Sequence, residues 1–282
     1  WVSYPDMVKL VGGIPVPVEP EDGSFIPRIQ DIEQVVGSYT KLVIINSPNN
    51  PSGAVYSEEF IADVVDFCER RGLWLLMDDI YHRLVFDGRK PNNPYSYAKD
   101  RSENSKLILV NGVSKQYAMT GFRIGWAVGN RRLIKAMTNI QGHETSGPSV
   151  LLQHAAVGAI NGLQSPVEGL RATLENNRNV LMAELEAFEG VAIEKPGGTF
   201  YSFPDFSTYS KDSVALSKFI LDKVQVLTVP GREFGMEGHL RLSFCGSIKE
   251  ITEGIERIKW ALDPNSPNEL YIGERKLVRD WT

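Results

Sequence analysis

Three short apolar runs constrain the fold most: residues 41–46 (KLVIIN), 73–78 (LWLLMD) and 107–111 (LILVN). None alternates polar with apolar side chains. That is the pattern of strands covered on both faces, as in parallel sheets. Between the first two runs, Ser57 stands at a helix N-cap, with Glu58 and Glu59 in the first turn where acids suit the helix dipole. The helix runs to about Arg71, and Gly72 closes it. Residues 123–128 (RIGWAV) read as a fourth strand. Strand, helix and strand in this order predict an α/β fold, a mostly parallel sheet with flanking helices.

Residues 131–160 read as helical with a break near Ser146 to Pro148, and 170–188 form a long charged helix leading out of this first unit. After PGGTFYSFPDF the pattern changes. Short strands at 199–203, 226–229 and 240–244 alternate with helices at 213–222 and 249–261, the pattern of a smaller α+β domain. The expected division is a large domain over 1–172, a small one over 173–264, and a tail over 265–282 to which no structure is assigned. No internal repeat is visible.

Composition narrows the function classes. Apolar residues make up 42% and charged residues 23% of the 282, as in ordinary globular proteins, which excludes disorder and low complexity as the main character. The net charge of −5 offers no basic field for nucleic acid or an anionic membrane. No apolar run approaches the roughly 20 residues that span a bilayer. Two cysteines, Cys68 and Cys245, are too few for a disulfide framework or a cysteine-built metal site, and point to a reducing, cytoplasmic setting. The chain opens on Trp1 rather than Met, so an upstream targeting segment would not be visible in it.

The segment SKQYAMTGFR carries the most chemistry. Lys115 follows directly on an apolar strand, at the sheet end where α/β folds bind ligands. Enclosure lowers a lysine's pKa and supplies free amine for attack on a carbonyl. Arg123 is a permanent cation suited to a phosphate, and Ser114 offers a hydroxyl. In MDDIYHRL, Asp78 ends the second run at the same sheet end, with Tyr81 three residues on; an ionised acid there would keep a heteroaromatic nitrogen protonated. In NSPNNPSG, Asn50 could donate its amide to a ligand oxygen, and in HLRLSF, Arg241 could clamp a carboxylate with its bidentate guanidinium. Each residue alone has a plainer role: a surface lysine, a helix N-cap, an Asn-Pro turn, a half-exposed strand arginine. Together they suit one small molecule. A lysine condenses with an aldehyde, an acid holds a ring nitrogen, and a tyrosine and an asparagine bind a phenolic oxygen. One arginine takes a phosphate and the other a substrate carboxylate. That is the chemistry of pyridoxal 5'-phosphate (PLP).

The chain also resembles the fold-type I PLP-dependent aminotransferases of class I/II, the aspartate aminotransferase-like family. The matching text is NSPNNPSG, MDDIYHRL, NGVSKQYAMTGFRIGW, PGGTFYSFPDF and PGREFG with HLRLSF, in the family's order and spacing. The resemblance implies that Lys115 is the Schiff-base lysine and proton shuttle, Asp78 the partner of the pyridine nitrogen, and Tyr81 and Asn50 the groups on the phenolic oxygen. It makes Arg123 and Ser114 phosphate ligands, Arg241 the residue for the α-carboxylate, and Trp1 the aromatic residue stacked on the cofactor ring. Asp79 and Ser52 depart from the family's commoner Glu and Thr.

The resemblance further implies amino-group transfer between an L-amino acid and a 2-oxo acid by a ping-pong mechanism in a homodimer, with no nucleic-acid or membrane partner. A PLP-dependent lyase or synthase on the same fold would share every cofactor residue. An aminotransferase-like domain of a transcription regulator is a third possibility. Family members carry further sheet strands and a phosphate-cradling loop before the segment matching WVSYPDM. The expectation is therefore a longer functional protein, or a second polypeptide that supplies this part. Read as a piece on its own, the chain would fold poorly and be inactive.

Overall fold

The computed structural model describes residues 1–273 and 275–281. In chain order the elements are α1 (Ser3–Leu10), α2 (Ile29–Val35), β1 (Leu42–Asn46), α3 (Glu58–Arg71), β2 (Trp74–Asp78), β3 (Leu107–Gly112), β4 (Gly125–Val128), α4 (Arg131–Thr145), α5 (Val150–Asn161) and α6 (Ser165–Leu185). There follow β5 (Tyr201–Ser202), α7 (Ser213–Val224), β6 (Val229–Pro230), β7 (Leu240–Ser243), α8 (Ile248–Leu262), β8 (Glu269–Ile272) and β9 (Arg275–Val278).

The apolar runs form the first sheet, in the order β1-β2-β3-β4, with β1, β2 and β3 parallel and β4 antiparallel to β3. Register places Asn46 beside Asp78 and Asp78 beside Val110, so the carboxyl ends of the three parallel strands line up as one rim. Helix α3 covers one face of this sheet. Ser57 accepts a hydrogen bond from Phe60 N, and Gly72 adopts the left-handed conformation at the far end, as its lack of a Cβ permits. Phe60, Val64 and Phe67 pack with Leu75 and Met77 in one core. The other face is covered less completely than the uninterrupted apolar runs suggest. Trp74, Leu76 and Asp78 are only half-buried.

The second sheet, β5-β7-β6, is antiparallel throughout. It packs with α6, α7 and α8 around a second core that includes Leu216, Ile220, Ile255 and Ile258. Tyr81, Leu84 and Phe86, from the segment after β2, belong to this second core, so the rim of the first sheet is inserted into it.

The segment 196–199 (PGGT) is joined by its backbone to the first sheet's loops. Gly53 O accepts from Gly197 N (2.9 Å) and Gly198 N (3.0 Å), and Leu84 O accepts from Thr199 N (2.9 Å). Gly53 has φ +74°, and a Cβ there would lie 2.5 Å from the Cβ of Pro196, so only glycine fits this crossing.

Several elements differ from the sequence expectation. Helix α6 starts at Ser165, not near 170, with Pro166 in its first turn. Strand β6 begins at Val229 rather than 226, because Gln225 closes α7 in the left-handed region and the next residues lead away from it. The tail is not structureless. Strands β8 and β9 pair as an antiparallel hairpin, and Arg279 Nη2 returns to donate to the carbonyls of Trp260 (2.8 Å), Ala261 (3.2 Å) and Asp263 (2.7 Å) at the end of α8. Trp281 packs edge-on against Phe219 and Trp260. A basic, polar stretch carried no periodicity that would reveal this.

Candidate active site

Asp78 ends β2, and both of its carboxylate oxygens act as acceptors: Oδ1 from Ile80 N at 3.1 Å, Oδ2 from the phenol of Tyr4. The turn contact and the outward-facing oxygen thus coexist in one acid. Burial, and then the adjoining Asp78 carboxylate, push the Tyr4 phenol well above the usual range. Tyr4 was not singled out from the sequence; its only signal is a position three residues after Trp1 on a short amphipathic helix. Trp1 lies beside this group. Its α-amino group donates to Asn50 O at 3.5 Å, and its ring meets Tyr4 edge-on at 5.4 Å while remaining 49% exposed.

Asn50 is buried after β1, in a turn fixed by Asn46: Asn46 Oδ1 accepts from Asn50 N at 2.9 Å, and Asn46 Nδ2 donates to Asp78 O at 3.1 Å. The Asn50 side chain is engaged on its oxygen. Arg241 Nη1, from β7 of the second sheet, donates to Asn50 Oδ1 at 3.0 Å. Among the described residues the Asn50 amide nitrogen has no hydrogen-bond partner, so its donor remains available.

Arg241 is held between two rings, 4.3 Å from the centroid of Tyr201 and 5.2 Å from that of Phe234. Tyr81 is only 3% exposed and meets Tyr201 edge-on at 6.1 Å and Phe200 at 5.6 Å. Burial first, and then Tyr201, push the Tyr81 phenol well above its ordinary value.

Lys115 lies in the turn after β3, half-buried, with its ammonium 5.7 Å from the centre of the Phe200 ring. Its pKa is lowered, first by burial and then by the positive charges of Arg123 and Arg241. Lys115 is thus electrostatically linked to the same Arg241 that reaches Asn50. Ser114 precedes it, half-buried in the same turn. Arg123 is exposed, has φ +55°, and donates to Thr120 O at 2.8 Å. The turn is braced from below. Gln116 Nε2 reaches Gly112 O (3.3 Å) and Asn111 Oδ1 (3.4 Å), and Tyr117 donates to Gln164 Oε1 (3.2 Å). Asp79 is buried next to Asp78 and lies 2.6 Å from His82 Nδ1; burial raises its pKa despite that partner.

Comparison with known proteins gives the family. The family model for aminotransferase class I and II matches residues 1–258. The chain belongs to the class I and II aminotransferases. The aspartate aminotransferase of Bacillus subtilis (strain 168) is 37% identical over 272 residues, covering 94% of this chain and 69% of that protein. A probable aspartate/prephenate aminotransferase of Aquifex aeolicus is 38% identical over 270 residues, covering 93% and 68%. Among solved structures, the Thermus thermophilus aspartate aminotransferase with maleate superposes with a TM-score of 0.86 at 33% identity, covering 93% of this chain and 68% of that one. The Pyrococcus horikoshii aromatic aminotransferase gives 0.85 at 30% identity, covering 92% and 70%.

The fold is therefore PLP fold type I, and this aminotransferase depends on pyridoxal phosphate. Aminotransferases of this kind act on amino and oxo acids. Among the described residues no helix is long and apolar enough to cross a membrane, and no group of three or more His, Cys, Asp or Glu residues could hold a metal ion.

Proposed function

We propose that the protein exchanges an amino group between L-aspartate and a 2-oxo acid, with Lys115, Asp78, Tyr81, Asn50, Ser114, Arg123, Arg241 and Trp1 forming the site. The supporting observation is the Arg241–Asn50 hydrogen bond, which joins the second sheet to the rim carrying Asp78. The choice of aspartate rests on the names of the bacterial relatives.

The residues present fit the cofactor. Asp78 offers a carboxylate to a ring nitrogen, Tyr81 and the unused Asn50 amide suit a phenolic oxygen, and Arg123 with Ser114 suits a phosphate. Trp1 offers an aromatic face. When bound, pyridoxal phosphate supplies a carbonyl for condensation with amines and a protonated ring that withdraws electrons from the substrate α-carbon. Lys115, its ammonium destabilised by burial and two neighbouring guanidinium groups, would hold the cofactor by condensing with its carbonyl. Once released, Nζ takes the substrate α-proton as a base and returns it as an acid. Arg241, oriented by Tyr201 and Phe234, binds the α-carboxylate through two parallel N–H donors. The Phe200 ring stands 5.7 Å from the Lys115 ammonium on the lysine's side of the crevice.

Incubation with cofactor, aspartate and 2-oxoglutarate is expected to yield oxaloacetate and glutamate, with parallel double-reciprocal lines. Pyruvate and ammonia from an eliminable amino acid, without exchange, would point to a lyase instead.

The protein is also proposed to be a homodimer. Helix α5 buries only Ala156 and leaves Val150, Leu151, Val157 and Ile160 exposed, an apolar face suited to a second copy. Sedimentation at the mass of two chains is expected; a monomer at micromolar concentration would refute this.

A further inference from the structure

Building on the assignment of Arg241 and Tyr81 above, we infer that Tyr201 is a positioning residue that holds the carboxylate clamp and the cofactor-facing phenol together. Two ring contacts and a fixed backbone place this one side chain between the two groups.

Pairing comes first. Tyr201 lies opposite Ser243 in the antiparallel β5–β7 ladder, and Ser243 shares its strand face with Arg241 two residues earlier, so Tyr201 and Arg241 are diagonal neighbours on one face. The guanidinium lies 4.3 Å from the Tyr201 ring centroid, within the range of an attractive cation–ring contact. The ring of Tyr81 stands edge-on to that of Tyr201 at 6.1 Å, with an interplanar angle of 80°. The same Tyr201 ring thus touches the guanidinium on one side and Tyr81 on the other.

The backbone fixes Tyr201 to the first sheet as well. Tyr201 N donates to Thr199 Oγ1 at 3.0 Å, and Thr199 N donates to Leu84 O at 2.9 Å, three residues beyond Tyr81. Thr199 is fully buried and sits at φ +65°, an uncommon conformation for a β-branched residue that the surrounding bonds maintain. Tyr201 is therefore located by the segment that carries Tyr81, while its ring faces an arginine from β7. A stacked arginine loses little further rotamer freedom when a carboxylate arrives. The ring thus bears on the clamp and on the neighbouring Tyr81 at once.

The test uses the cofactor-loaded protein with two substitutions, Tyr201→Leu and Tyr201→Phe, alongside wild type, with circular dichroism as the check on folding. Tyr201→Leu removes the ring face, and KM for the amino donor is expected to rise about tenfold with a smaller change in kcat. Tyr201→Phe keeps the ring and removes the hydroxyl. Its KM should stay close to wild type, because the ring contacts with Arg241 and Tyr81 are kept. Equilibrium binding of a non-reacting dicarboxylate such as maleate, measured by calorimetry, needs no turnover and should weaken by the same factor in the leucine variant only. A folded Tyr201→Leu protein with unchanged KM and unchanged maleate affinity, or a Tyr201→Phe protein that loses as much as the leucine variant, overturns the inference. Wild-type protein that takes up no cofactor would instead overturn the assignment on which it rests.

Discussion

Lys115→Ala protein should fold normally, take up no covalently held cofactor, and turn over amino acid about 10⁴-fold more slowly or less than wild type. Folding should survive because the turn does not depend on the ammonium. Gln116 and Tyr117 brace it through Gly112, Asn111 and Gln164, and among the described residues Lys115 forms no ion pair. Removing a cation already disfavoured by burial and by two guanidinium groups takes nothing from stability. The chemistry should fail because no other amine shares this position, and a guanidinium is no substitute for an amine in proton transfer. Absorbance after dialysis against pyridoxal phosphate is the direct measurement. A visible band that survives unchanged in the alanine variant would mean that another residue carries the cofactor.

Arg178→Ala is expected to reduce unfolding free energy by about 3 kcal/mol, the lower end for breaking a buried ion pair. Arg178 is 1% exposed. It donates to both oxygens of Asp87 at 2.7 and 2.8 Å, donates to Pro196 O at 3.0 Å, and lies 4.9 Å from the Phe86 ring centre. The substitution removes a large buried side chain, strands the Pro196 carbonyl, and leaves Asp87 with only Lys195 at 3.3 Å. The lower end of the range applies because the Asp87 side chain is 40% exposed and can turn to water. Urea titration followed by circular dichroism measures the difference; a loss below about 1 kcal/mol would show that water substitutes freely for the guanidinium.

The pair also sets an acid limit. Arg178 first, and then Lys195, hold the Asp87 carboxyl down at about 2. A depressed carboxyl stabilises the fold above its unfolded value near 4 and loses that contribution as pH falls toward about 2. Wild-type stability should fall across that window, and the Arg178→Ala protein should lose this share of the pH dependence.

Legibility in the sequence followed physical cause. Strands β1, β2 and β3 were readable because apolar runs must be covered, and α3 because its caps are local and side-chain encoded. Asp78 and Lys115 stood out as the polar ends of such runs, and register brought their strands into neighbouring positions. What remained hidden depends on pairings distant in the chain. Nothing near Asn50 indicates that its oxygen accepts from a residue 191 positions away. Nothing near Tyr201 in the sequence marks it, because its partners, Arg241 on β7 and Tyr81 in the segment after β2, are distant in the chain. Tyr4 was overlooked because its acceptor is 74 residues off. The hairpin at the end of the chain has no apolar alternation strong enough to separate it from a polar loop.

That hairpin bears on where the folding unit stops. The family match closes at residue 258, inside α8, yet Arg279 caps the carbonyls at the end of that helix and Trp281 covers Phe219 and Trp260. A clone trimmed to the shared region would sever a helix, remove Trp260 with Trp281, and bare the Phe219 ring. Any shortened version for crystallography, or any purification handle, should therefore leave residues 259–281 intact and place added sequence beyond them.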